Sequence, residues 1–331
     1  MRAVLLAGFL GLLSVMAAHS QTSLTVYEGA CDGSAAVALD ADHFIVANDD
    51  ENKLRIYRRG VSEAVKDSVI DLNPALKTEP KRDGPPKEAD LEGAARVGNR
   101  IYWIGSHGRD SEGHKEVSRH RFFATDIVAG TGTPPLTLKV TAVYKDLLKD
   151  LLEQVTGLGL KEGEKLAAEA PNGLNIEGLA ATPDGQLLIG FRNPLPAGKA
   201  IVIPLTNPAD VLDKNAKAVF GKPEQLDLGN RGIRSIEWVN NRYLIVAGPF
   251  DNGGPGQLGG DFALYKWSGP GGPAPAQDLA VAFGKLHPEA LFATSNPKEV
   301  YVLSDDGTKA CKDLDKQKQK RFRGLAITIS D

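Results

Sequence analysis

Residues 176–194 read IEGLAATPDGQLLIGFRNP, and this pattern of a short apolar strand, a tight polar turn and a second apolar strand recurs along the chain. The other copies are SAAVALDADHFIVANDD at 34–50, LEGAARVGNRIYWIGSHGR at 91–109, IEWVNNRYLIVAGPFDN at 236–252 and PEALFATSNPKEVYVLSDD at 288–306. Paired strands joined by short polar turns are typical of β-hairpins. The repeat therefore predicts five similar units.

Each copy is followed by a polar loop and a third strand, and four of them by a candidate fourth strand. The third strands are KLRIYRR, HRFFATDIV, KAIVIPL, FALYKWS and FRGLAITIS, and the fourth strands are VKDSVIDL, LKVTAVYK, PEQLDL and AQDLAVAF. Four short strands repeated radially form the blades of a propeller. The fifth unit lacks an outer strand, and SLTVYEG at 23–29 has no unit of its own. We therefore expect an all-β fold, a five-bladed β-propeller closed by an N-terminal strand, which protects the sheet edge at the seam.

One insertion interrupts the repeat at about 145–170. Leu147, Leu148, Leu151, Leu152 and Val155 follow a helical spacing there, which predicts a short helical segment. A lid over the channel and a helix that covers a sheet edge are both compatible with this position.

Near the start of the chain Arg2 is followed by an apolar run and then by the small-x-small pattern of Ala18-His19-Ser20. This order predicts a signal peptide over 1–20. A retained membrane anchor is the alternative. We expect residues 21–331 to form a single propeller domain in a secreted or periplasmic protein, with no membrane insertion after signal removal. In such an oxidising compartment Cys31 and Cys311, which flank the predicted seam, can form a disulfide. A formal net charge of -3 argues against nucleic acid as a partner.

Aligning the first strands of the five units brings a ring of acidic and hydroxyl side chains to one position. The members are Ser34, Glu92, Glu177, Glu237 and Glu289. First strands line the central channel of a propeller, and crowded carboxylates there raise each other's pKa unless a cation neutralises them. Oxygen ligands of this kind suit Ca²⁺, whereas no Cys or His pair has zinc-ligand spacing. In the alternative, arginines such as Arg192, Arg234 and Arg323 pair with the glutamates and no metal binds.

The ends of the second strands are expected to surround this ring. They carry the candidate catalytic residues His107, Arg109 and Arg192, and the other rim candidates Asp49, Asn193, Arg234, Asp251 and Asp305. Arginine binds phosphate oxygens, histidine transfers protons and a bound cation polarises a substrate, so the set suits a phosphoester. A histidine that only hydrogen-bonds its own loop is the alternative for His107.

Several strings resemble a bacterial family known as domain of unknown function 3616. They are DLEG at 90–93, YWIGSHGR at 102–109, NIEGLA at 175–180 and IGFRNPL at 189–195. The resemblance implies a secreted or periplasmic propeller-like protein and no particular activity. The predicted ring is also similar, more distantly, to that of five-bladed calcium-dependent apyrases and phytase-like propellers, although the nucleotide-contacting loops of the apyrases have no match here.

Two functions follow as hypotheses. The first is a Ca²⁺-dependent hydrolase of a phosphoester or nucleotide, with a small-molecule substrate. The second is a non-catalytic propeller that binds a ligand or protein around a structural ion or a salt-bridged axis. An enzyme requires Arg109, Arg192 and His107 within reach of an open coordination position, whereas a structural ion is enclosed by protein.

Overall fold

A computed structural model describes residues 24–78, 84, 86–131, 134–251, 261–272, 275–305 and 319–329. In chain order its strands are β1 (Leu24–Glu28), β2 (Ala35–Ala38), β3 (His43–Ala47), β4 (Lys53–Arg58), β5 (Ile70–Asp71), β6 (Leu91–Val97), β7 (Arg100–Gly105), β8 (Phe122–Ala129), β9 (Leu136–Tyr144), β10 (Asn175–Ala181), β11 (Leu187–Asn193), β12 (Ala200–Leu205), β13 (Glu224–Leu226), β14 (Gly232–Val239), β15 (Arg242–Gly248), β16 (Ala263–Trp267), β17 (Gln277–Asp278), β18 (Pro288–Ala293), β19 (Glu299–Ser304) and β20 (Arg321–Thr328). The helices are α1 (Asn73–Leu76), α2 (Leu147–Gln154), α3 (Leu160–Gly163) and α4 (Pro208–Lys214).

The strands form five antiparallel four-stranded sheets, which are the five blades of a propeller. Blades 1 to 4 follow chain order as β2–β5, β6–β9, β10–β13 and β14–β17, and blade 5 has the order β1-β20-β19-β18. The predicted fourth strand of blade 4 is shorter than expected, because only two residues pair there. The inner strands β2, β6, β10, β14 and β18 each contact the inner strands of both adjacent blades, so they close a ring around a central channel.

The N-terminal strand closes the ring as predicted. Strand β1 pairs antiparallel with β20, from Leu24 opposite Leu325 to Glu28 opposite Arg321. The hydroxyl groups of Tyr27 and Tyr301 lie 2.8 Å apart across this blade. Strands from both ends of the described chain therefore form one blade, with β1 as its outer strand, and this pairing closes the ring.

Apolar side chains fill the space between the blades. Between blades 1 and 5, for example, Phe44 stacks on Phe292 with ring centroids 5.1 Å apart. The leucines of α2 pack into the cluster between blades 2 and 3, with Leu147, Leu148 and Leu151 all buried. Helix α2 thus lies against blades 2 and 3 and not free in solvent.

Some sequence expectations concern residues that the structure does not describe. The predicted signal peptide and Cys311 lie outside the described residues. Cys31 is buried beside the seam. Because Cys311 is not among the described residues, the disulfide between the two cysteines stays a prediction. Within the described ranges, the helices are all too short or too polar to cross a bilayer.

Candidate functional site

Four inner strands carry an irregularity of register at the same place. It falls between Leu91 and Gly93, Ile176 and Gly178, Ile233 and Ser235, and Pro288 and Ala290. The residues within these bulges are Glu92, Glu177, Arg234 and Glu289, and Ser34 holds the corresponding place directly before β2. Bulges re-aim side chains and occur often beside active sites. The equivalent positions of the five blades therefore hold Ser, Glu, Glu, Arg and Glu.

The prediction that Glu237 belongs to this ring is wrong. Glu237 pairs with Leu244, three residues further along β14 than Arg234. The letters IEW at 236–238 resemble IEG in the other blades, but strand pairing places IRS at 233–235 in that position. Glu237 does not line the cavity described below, and burial raises its pKa to about 8.

The glycine that follows two of the ring glutamates has a packing reason. A Cβ on Gly93 would lie 2.9 Å from Cβ of Leu179 in the next blade. A Cβ on Gly178 would lie 2.8 Å from Cγ2 of Ile233. Neighbouring inner strands thus approach closely at these glycines, and a side chain there would displace Leu179 or Ile233.

A cavity of about 470 Å³ opens at the channel end where the inner strands begin and the second strands finish. Of the described residues, eleven acids line it: Asp32, Asp49, Asp50, Glu88, Asp90, Glu92, Asp110, Glu169, Glu177, Glu289 and Asp305. Three arginines join them: Arg109, Arg119 and Arg192. Such an excess of acids attracts cations into the cavity.

On the side of blades 3 to 5, arginines neutralise the ring glutamates. Nη1 of Arg234 donates to Glu289 Oε1 at 2.7 Å and lies 3.2 Å from Glu177 Oε2. Nη1 of Arg192 donates to Glu177 Oε1 at 2.8 Å, and the amide of Asn175 donates to the same oxygen at 3.1 Å. These side chains are buried, and for these two glutamates the arginine-pairing alternative holds. We call this the arginine side.

On the side of blades 1 and 2, carboxylates lie together. One oxygen from each of Asp49, Asp90 and Glu92 falls within 4.8 Å of the others, and so do oxygens of Asp32, Asp49 and Asp50. Unit charges this far apart repel by roughly 3 kcal/mol at an effective dielectric constant of 20. The five residues, which we call the carboxylate side, therefore need protons or cations to remain together.

The pKa values on the carboxylate side show this crowding. Burial, Glu177 and Asp90 raise the pKa of Glu92 well above its ordinary range. Burial together with Asp50, Asp90 and Asp305 raises the pKa of Asp49 to about 7. Burial also raises the pKa of Asp32 strongly. Within the described residues Glu92 makes no hydrogen bond or salt bridge, whereas Asp90 accepts from Ser106 Oγ and lies 3.0 Å from Nη1 of Arg119.

Two buried oxygens at the cavity have no hydrogen-bond partner among the described residues. They are Oδ1 of Asp32 and Oδ1 of Asn175, whose residues are 2% and 4% exposed. The Asn175 amide nitrogen already donates to Glu177, which fixes the orientation of that side chain. A buried polar atom without a partner is costly, so each marks a place where a ligand or ion is expected.

The candidate catalytic residues are placed unequally. Arg109 and Arg192 line the cavity, although Nε of Arg109 donates to the Glu164 carbonyl at 2.6 Å. His107 is buried outside the cavity lining, bonds the Gly105 carbonyl through Nδ1 at 2.8 Å and stacks on His120. Burial and His120 lower its pKa to about 3, so it is a neutral ring that holds its own loop.

The other rim candidates also divide. Asp49 and Asp305 line the cavity, and Ser34 Oγ donates to Asp49 Oδ1 at 3.4 Å. Asn193 instead donates to the carbonyls of Ala168 and Ala170, and Asp251 is not part of the cavity lining.

Sequence reasoning missed Asp32, Asp90, Arg119 and Asn175 as cavity residues. Asp90 directly precedes β6 and Asn175 begins β10, and each lies two residues before a ring glutamate. That common position was a usable signal. Asp32 lies in the irregular segment before β2, and Arg119 lies in the loop before β8, so no repeat pointed to them.

The molecule is thus a five-bladed β-propeller with an acidic cavity at one end of its channel. A family model described as "Protein of unknown function (DUF3616)" matches residues 141–296 and supports the resemblance over that range. NIEGLA and IGFRNPL fall inside the match, whereas DLEG and YWIGSHGR fall outside it. No curated protein matches the sequence.

Solved structures similar to this chain include several enzymes. Glutaminyl cyclase of Myxococcus xanthus is 11% identical with a TM-score of 0.46, and the match covers 94% of this chain and 98% of that one. The PQQ-bound aldose sugar dehydrogenase of Streptomyces coelicolor is 11% identical with a TM-score of 0.43, covering 93% and 99%. A GH43_1 enzyme of Xanthomonas citri is 9% identical with a TM-score of 0.44, covering 94% and 91%. Similarities this distant say nothing about the activity of this chain.

Proposed function

We propose that the protein binds a divalent cation, Ca²⁺ in first place, at Asp49, Asp90 and Glu92, and that the loaded protein hydrolyses a phosphoester. One observation carries the cation site. Three carboxylates lie within 4.8 Å of each other and Glu92 among them makes no hydrogen bond or salt bridge within the described residues. On the arginine side, by contrast, Arg234 pairs with both Glu177 and Glu289.

The donor set fits Ca²⁺ better than softer metals. All three carboxylates offer hard oxygen ligands, and Ca²⁺ takes six to eight of these in a flexible geometry. Ser34 Oγ lies beside Asp49, and the free Oδ1 of Asn175 faces the same cavity lining. Water completes such a shell readily.

The arginines of the cavity support a phosphoester as the substrate. Arg192, Arg109 and Arg119 line the same cavity as the three carboxylates. Guanidinium groups bind phosphate oxygens in bidentate fashion. The cavity volume of about 470 Å³ is in the range for a small-molecule ligand. A bound cation supplies charge for the phosphate and lowers the pKa of a coordinated water.

A non-catalytic binding propeller is the second candidate. The bridge from Arg234 to Glu177 and Glu289 favours it, since a salt-bridged axis needs no chemistry. The burial of His107 also favours it, because no histidine in the described residues lines the cavity to transfer a proton. Under this alternative the propeller binds a ligand or protein around a structural ion or a salt-bridged axis, and no ester is cleaved.

We also propose a secreted or periplasmic location, which the first 20 residues support. A small-molecule ligand is the proposed partner, and the acidic cavity together with the net charge of -3 disfavours nucleic acid.

The cation site is tested by metal analysis and thermal melting of the purified protein with and without a chelator. We expect bound Ca²⁺ and a lower Tm after chelation. Glu92→Gln is expected to weaken Ca²⁺ binding by at least roughly 10–100-fold, the loss that even supporting residues of a metal site cause. Glu63→Gln is the matched control, because Glu63 is exposed and its side chain makes no hydrogen bond or salt bridge with any described residue. A Tm that is indifferent to both chelator and Ca²⁺ contradicts the site.

Catalysis is tested separately on a panel of phosphomonoesters, phosphodiesters and nucleotides. A hydrolase loses its activity with chelator and with Glu92→Gln, and keeps it with Glu63→Gln. Ca²⁺ binding without turnover of any ester would select the non-catalytic candidate.

A further inference from the structure

We infer that the cavity holds two divalent cations bridged by Asp49, with the second ion between Asp32, Asp49 and Asp50. The inference rests on the proposed cation site and extends it by a second, separable position. Its evidence comes from residues of blade 1 and the segment before it, which take no part in the first position except through Asp49.

The geometry provides two ligand groups with one shared member. Asp49, Asp90 and Glu92 form one group, and Asp32, Asp49 and Asp50 form the other. In each group the ligand oxygens lie within 4.8 Å of one another. Oxygens bound to one Ca²⁺ at about 2.3–2.6 Å are separated by at most about 5 Å, so each group fits around a single ion.

The two groups do not merge into one. Asp32 and Glu92 are never members of the same group, although each lies close to Asp49. A carboxylate has two oxygens and about four lone-pair sites, so Asp49 is able to bind one ion through each oxygen. Two metal ions bridged in this way lie about 4 Å apart in other proteins.

Asp32 gives the independent evidence for the second position. The residue is 2% exposed and lines the cavity, yet its Oδ1 has no hydrogen-bond partner in the described residues. The neighbours within hydrogen-bonding reach of Asp32 are two further acids, Asp49 and Asp305. No lysine or arginine of the described chain forms a salt bridge with Asp32 or Asp49. A buried carboxylate surrounded by carboxylates is stabilised by a proton or by a cation, and the unpartnered Oδ1 of Asp32 offers a ligand atom to a cation.

Ca²⁺ stoichiometry tests the inference, measured by calorimetry and by metal analysis after dialysis. We expect two ions per chain in the wild type, one in Asp32→Asn, one in Glu92→Gln and no tightly bound ion in Asp49→Asn. Asp67→Asn is the matched control and is expected to keep two ions, because Asp67 is exposed and its side chain forms no hydrogen bond or salt bridge within the described part of the chain. One ion in the wild type, or two in Asp32→Asn, overturns the second position; no ion at all overturns the proposed function as well.

A second measurement on the wild type avoids any dependence on how the variants fold. Tb³⁺ and Eu³⁺ are added together, and energy transfer between them is recorded by luminescence. Two ions about 4 Å apart transfer energy efficiently. Tb³⁺ that binds without transferring energy to Eu³⁺ contradicts the pair and leaves the first position standing.

Discussion

The two sides of the channel mouth differ in the partners of their buried carboxylates. On the arginine side Glu177 and Glu289 are held by Arg192 and Arg234 through bonds of 2.7–3.2 Å. On the carboxylate side Asp32, Asp49 and Glu92 form no such ion pair with the described residues. The pKa of Glu289 is raised as well as those of Asp32, Asp49 and Glu92, so the two sides differ in their arginine pairs and not in the direction of the pKa shifts. In the proposed account a bound cation supplies the counter-charge on the carboxylate side.

Breaking the arginine side is expected to have the largest effect. Arg234→Met leaves Glu177 and Glu289 buried with less compensation, which costs about 3–5 kcal/mol of folding stability. Chemical denaturation measures this loss. Arg58→Met is the control, because Arg58 is exposed and lies 3.9 Å from Asp42, a contact expected to contribute under about 1 kcal/mol. Equal small losses in both variants would show that the bridge is not structural.

Loading the carboxylate side is expected to have the next largest effect. At a free Ca²⁺ concentration of 100 times Kd, the ion stabilises the folded state by about 2.7 kcal/mol for one site. Asp49→Asn removes this gain and also relieves repulsion in the ion-free protein, so its stability without Ca²⁺ is expected to match or exceed that of the wild type. Denaturation with and without Ca²⁺ checks both effects, and a variant that is less stable without Ca²⁺ would contradict the crowding.

Substitution of Glu237 is expected to have a smaller effect on stability. It tests a buried carboxyl group that lies outside the cavity. Its folded pKa of about 8 exceeds the ordinary 4.5, so the native state holds more protons between these values and stability falls as pH rises through that window. Glu237→Gln is expected to remove this fall and to gain more than about 1.4 kcal/mol at pH 9, the equivalent of one pKa unit. The test compares stability curves from pH 4 to 9 with those of Glu63→Gln. If stability depended on pH in the same way in both variants, the raised pKa of Glu237 would be contradicted.

The architecture was predictable because each blade repeats the same local pattern, two apolar strands joined by a short polar turn. The closing strand followed from counting strands, since SLTVYEG had no other blade to join. The ring position was predictable in blades 2, 3 and 5, where Glu92, Glu177 and Glu289 precede or begin the regular pairing after a bulge.

The rest depended on information that a single strand does not contain. In blade 4 the sequence IEW at 236–238 resembles the IEG motif of blade 3. Only the pairing with β15 shows that Arg234, and not Glu237, occupies the ring position. Asp32 and Arg119 come from irregular segments whose path depends on the folded sheets. Which glutamates acquire an arginine depends on contacts between blades, as in the bond from Arg234 to Glu289.

The central claim is that a cation binds on the carboxylate side and not to a ring of four glutamates. Calorimetric Ca²⁺ titration of Glu92→Gln and Glu289→Gln tests it most directly, since both residues hold equivalent ring positions in different surroundings. We predict that Glu92→Gln loses at least about tenfold in affinity at the site it contacts, whereas Glu289→Gln keeps Ca²⁺ binding close to that of the wild type. Equal losses in the two variants, or no binding by the wild type, would contradict the account.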